Sequence, residues 1–99
     1  MNENQKPNGG IDIDLDAEVA KGQYANLAII SHSPNEFIVD FAAVLPGLRK
    51  PTVCSRIILT PEHAKRVMLS LQENIARYEQ NIGKIELSQH APFKVMGDA

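Results

Sequence analysis

At 99 residues the chain has room for one domain. Its 43% hydrophobic content permits a folded core, while a net charge of −2 argues against the basic field of a general nucleic-acid binder. No apolar run approaches the ~18–20 residues of a membrane-spanning helix. The opening MNENQKPNGG has no signal-peptide core, and the single Cys54 has no partner for an internal disulfide. The expectation is a cytoplasmic protein in a reducing compartment, with neither nucleic acid nor membrane as partner.

Residues 1–10 are rich in Asn, Gly, Pro and charge and read as a disordered arm. In the following IDIDLD, Ile11, Ile13 and Leu15 alternate with Asp12, Asp14 and Asp16, the pattern of an edge strand with acids outward. The same aspartates stand at positions 1, 3 and 5 of a calcium loop. Such a loop also needs Gly at position 6 and Glu at 12, where this chain has Ala17 and Gln23, so the match fails.

Alternation predicts a second strand over 24–31 and a third over 36–44, with Ser33-Pro34-Asn35 turning the chain between them. Two prolines and Gly47 break the chain over 45–51, and a fourth strand is expected over 52–59. Then the period changes. Thr60 is a helix N-cap, Pro61 suits the first helical position and Glu62 the positive end of the dipole. Ala64, Met68, Leu71, Ile75, Tyr78 and Ile82 form one apolar stripe, closed by Gly83 in a left-handed conformation.

A helix of about 33 Å is long enough to cover strands of about 30 Å. The predicted architecture is therefore α+β: a small antiparallel meander of about four strands, then one long C-terminal helix packed on one sheet face. The domain is expected to span 11–87, with a flexible tail over 88–99.

Centring the first hairpin on Pro34 and the second on Leu48 assigns the side chains. Leu27, Ile29, Phe37, Val39, Phe41, Val53, Ile57 and Leu59 gather on the helix-facing side. Ile30, Ile38 and Ile58 form a row on the other, beside Asp40 and Arg56. Three adjacent isoleucines facing water on a marginally sized domain point to a covering chain. Ile30, Ile38, Asp40, Arg56 and Ile58 are accordingly the candidate interface.

Candidate chemistry is sparse. His32 with Ser31 or Ser33 lacks an oriented third member, and neighbours on a strand point to opposite faces. His32, His63, His90 and Cys54 lack zinc-site spacing. Cys54 alternates onto the face of Arg56, where a half-buried apolar role is expected. Arg49-Lys50 and Lys65-Arg66 are basic spots without interleaved aromatics. No catalytic, cofactor or metal residue is assigned.

The pieces GQYAN, HSPNEF-x₂-DF, SRIILTPEHAKR and ENIARYE-x₃-GKI, spanning Gly22 to Ile85, resemble a family of short bacterial and archaeal proteins, domain of unknown function 3467. The resemblance implies an antiparallel sheet with a long C-terminal helix and transfers no catalytic residue. A looser, fold-level similarity is to the bacterial export chaperone that holds unfolded precursors. The leading expectation is a non-catalytic homo-oligomeric interaction module. A chaperone-like binder of extended polypeptide is the alternative. An enzyme or small-ligand protein would need a pocket uniting Asp40, Arg56 and His32.

Overall fold

The computed structural model describes residues 10–47 and 50–88. The expectations for the N-terminal arm, for a turn centred on Leu48 and for the tail beyond Ser88 lie outside those residues. The alternating segments form β1 (Leu27–His32), β2 (Phe37–Ala43) and β3 (Thr52–Leu59), each antiparallel to the next in the order β1-β2-β3. A single residue, Thr60, separates β3 from the long C-terminal helix α2 (Pro61–Asn81). The fold is α+β.

The edge strand expected first, at 11–16, is not formed: these residues pair with no strand among the described residues. Instead, the Asp16 carboxylate accepts the Glu18 N–H at 3.1 Å and caps a one-turn helix, α1 (Ala17–Ala20). Alternation prepares a strand but does not supply the edge it must pair with, and an aspartate offers its backbone a competing local bond.

The first hairpin differs by one residue from a turn centred on Pro34. Ser33 donates its N–H to the Glu36 carbonyl at 2.9 Å, leaving Pro34-Asn35 as a two-residue loop. The Ser33 hydroxyl accepts the Asn35 N–H at 3.3 Å. His32 therefore opposes Phe37, Ile30 opposes Val39, and Ile29 opposes Asp40. A slip of one residue carries every β1 side chain across the sheet.

The second hairpin keeps the expected register from Phe37↔Leu59 to Phe41↔Ser55, including Asp40↔Arg56. Beyond that the ladder shifts at Phe41/Ala42, and Ala42 opposes Val53, so that Cys54 is the extra residue of a bulge. At the end of β2 the chain turns through Pro46 and Gly47. Gly47 has φ +86°, which an L side chain would resist.

Thr60 caps α2 as predicted, its Oγ1 accepting the His63 N–H at 3.1 Å. The other end differs. Gly83 is not left-handed; Ile82 and Gly83 both donate to the Tyr78 carbonyl, at 2.8 and 3.3 Å, and Ile85 donates to Glu79 Oε2 at 3.0 Å.

The largest departure concerns packing. α2 touches a few positions of β3 and does not lie across the sheet. Beyond the half-buried Ala64 its stripe, which Val67 joins, is bare, from 41% exposed at Ile75 to 72% at Ile82. The reason is the joint. A helix is ~10–12 Å across with its side chains, whereas one residue advances the chain by at most ~3.6 Å. Thr60 alone cannot lift α2 above the sheet and turn it back along its own strand. Ala42 is consequently the one buried apolar residue among those described.

Candidate interaction surface

Opposed residues on neighbouring strands share a face. One face carries Leu27, Ile29 and Ser31 from β1, Ile38, Asp40 and Ala42 from β2, and Arg56 and Ile58 from β3. The other carries Ala28, Ile30, His32, Phe37, Val39, Phe41, Ser55, Ile57 and Leu59. Of the five candidate interface residues, Ile38, Asp40, Arg56 and Ile58 are together. Ile30 is not. The turn geometry sends it to the opposite face, beside Val39 and Ile57, and sends Leu27 and Ile29 the other way.

Asp40 and Arg56 form a two-pronged ion pair: Arg56 donates Nε–H to Oδ1 at 2.7 Å and Nη2–H to Oδ2 at 2.9 Å. The Asp40 side chain is 13% exposed and the Arg56 side chain 61%, so one partner sits in the sheet and the other reaches over it. The guanidinium hydrogen bonds hold the Asp40 carboxyl below its ordinary range, against a smaller opposing push from burial. The carboxylate in turn raises the Arg56 value. With both oxygens engaged, the pair pins β2 to β3 and leaves little charge for an anion.

The opposite face has no charged residue. The rings of His32 and Phe37 stack there, centroids 5.3 Å apart. His32 thus stands across the sheet from Asp40 and Arg56, and a common pocket of the three is not assembled. The bulge also withdraws Cys54 from Arg56. Cys54 is exposed, and with Gln23, Ala25, Phe41, Ser55 and Ile57 it lines an open hollow of about 460 Å³ at one end of the uncharged face. Its expected half-buried place beside Arg56 is lost because the extra residue resets the alternation.

His63 lies in the first turn of α2, and His90 is outside the described residues. Among the described residues no group of three His, Cys, Asp or Glu side chains could hold a metal ion, and no helix is long and apolar enough to cross a membrane. Among the described residues exposed apolar surface lies on the α2 stripe and, on the uncharged sheet face, at Ile30, Phe41 and Ile57, with Ile58 on the other face.

The model of a family described as "Protein of unknown function (DUF3467)" matches residues 1–87, which include the whole sheet and α2. The chain belongs to that family. No curated protein and no solved structure matches it. In this DUF3467 chain two of the pieces quoted from the sequence fall on joints between elements. HSPNEF makes the first hairpin turn, and SRIILTPEHAKR runs from β3 through Thr60 into α2.

GQYAN ends in Asn26, a residue that alternation passes over. Its side-chain amide accepts from Val44 N–H at 2.8 Å and donates to the Val44 carbonyl at 3.0 Å, extending the sheet by one pairing. A polar amide at the mouth of an apolar run was the available signal.

Proposed function

We propose that this DUF3467 chain is a non-catalytic, homo-oligomeric interaction module. One observation carries the reading: an amphipathic helix of 21 residues leaves its apolar stripe exposed beside a sheet whose uncharged face leaves Ile30, Phe41 and Ile57 exposed. A helix this amphipathic draws its stability from packing rather than from propensity. A sheet with one greasy face likewise needs a second layer. The single chain supplies both layers and the joint keeps them apart, so chain association is the route by which the domain acquires a core.

The polar groups support the same reading. The two-pronged Asp40–Arg56 pair is committed to holding β2 against β3, and among the described residues His32, His63 and Cys54 are dispersed rather than convergent. The test is particle mass by light scattering coupled to gel filtration at micromolar concentration. More than one chain per particle is expected. A sharp, fully folded species of 10.9 kDa would overturn the reading.

A further inference from the structure

Resting on that homo-oligomeric reading, we infer that α2 of one chain docks on the uncharged sheet face of a second copy, whose own α2 docks back in return. Width is the first argument. Three strands at ~4.8 Å spacing place the outer two about 10 Å apart, and one helix is ~10–12 Å across. The face holds one helix. Lengthwise, 21 helical residues reach about 31 Å, and the seven of β2 about 23 Å, so the stripe runs the full strand.

Charge is the second argument. The stripe from Ala64 through Leu71 and Ile75 to Ile82 contains no ionised side chain, and neither does the face of Ile30, Phe37, Val39, Phe41 and Ile57. The opposite face carries Asp40 and Arg56 and would oblige the stripe to cover an ion pair. Desolvating those charges costs free energy that an apolar helix cannot return.

Area favours a helix on a sheet over a helix on a helix. The seven stripe residues, Val67 included, offer about 600 Å² per chain, and the uncharged face roughly 350 Å² more. Reciprocal docking would bury about 1,900 Å² in total, inside the ~1,200–2,000 Å² of a stable interface. Pairing the two stripes alone would bury about 1,200 Å², the bottom of that range, and leave Phe41 and Ile57 in water. A two-fold arrangement makes each contact twice, which closes the particle at two chains. The one-residue joint acts as a short hinge, a feature that favours exchange of an element between copies.

The experiment places a photoreactive p-benzoylphenylalanine at Leu71 in the stripe and, separately, at Gln72 on its border, where the substitution leaves docking intact. Each variant is mixed one to one from isotopically light and heavy chains, dissociated and reassembled together, irradiated and mapped by mass spectrometry. The inference expects links from α2 to residues of β2 and β3, about half of them joining a light chain to a heavy one. Links from α2 to the other chain's α2, or to Ile38 and Ile58 on the charged face, overturn the inference while the oligomer stands. Links confined to one chain in an oligomeric particle also overturn it. A folded monomer removes both the inference and the reading beneath it.

Discussion

Asn26 and Val44 are joined by two hydrogen bonds from one side chain, Val44 N–H to Oδ1 at 2.8 Å and Nδ2–H to the Val44 carbonyl at 3.0 Å. The Asn26 backbone N–H donates to the Ala42 carbonyl at 3.1 Å. A side chain thus stands in for a strand at the point where the bulge disturbs β3. Neutral hydrogen bonds contribute ~0.5–1.5 kcal/mol each, and these are solvent-exposed, so Asn26→Ala should destabilise by about 1 kcal/mol. The Val44 amide should exchange with solvent faster than in the parent. Unchanged exchange would show that the clamp is incidental.

The Asp40–Arg56 pair has a pH signature. Arg56 lowers the Asp40 pKa below the ordinary 3.8 of an aspartate. A depressed folded-state pKa means the unfolded chain takes up its proton first as pH falls. The pair's contribution is therefore complete above about pH 4–5 and is lost as pH drops through the lower folded value. Melting temperature followed from pH 6 to pH 2 should fall more steeply for the parent than for Asp40→Asn. Parallel curves would mean the two groups are not coupled in solution.

Ile57 and Ile58 are neighbours on β3 that face opposite sides of the sheet. Ile57→Glu sets a carboxylate under the docked helix, where leaving it unpaired costs several kcal/mol. That variant should lose assembly and, with it, most of its cooperative melting. Ile58→Glu lies on the face of Arg56, 59% exposed, and should keep the parent's particle mass. Equal loss in both would place the interface on neither face alone.

Lengthening the hinge tests the role of the joint. Four flexible residues inserted between Leu59 and Thr60 give α2 about 14 Å of additional reach, enough to rise over its own sheet. The insertion variant should shift toward single chains at low concentration while retaining helical circular dichroism. If its particle mass matches the parent's at every concentration, the short joint is not what drives exchange.

Periodicity by itself determined the element types. The alternation of LAIISH and of FIVDFAA, and the three-to-four spacing from Ala64 to Ile82, reappear as β1, β2 and α2 with the Thr60-Pro61 start in place. These patterns are local, because a strand or a helix repeats within a few residues. The pairing of Asp40 with Arg56 was also legible, since the second hairpin keeps the register expected for β2 and β3 near the pair. Register across the first turn was not. It depended on whether Ser33 bonds to Glu36, a choice of one hydrogen bond that moves Ile30 from the face of Ile38 to the face of Val39. Nor did alternation settle whether Ile11, Ile13 and Leu15 would find an edge, because pairing requires a second strand at the right place. Only the tertiary structure decided where the helix goes: a single residue between Leu59 and Pro61 is too short a lever to fold α2 onto its own sheet, and that distance is a property of three dimensions rather than of pattern.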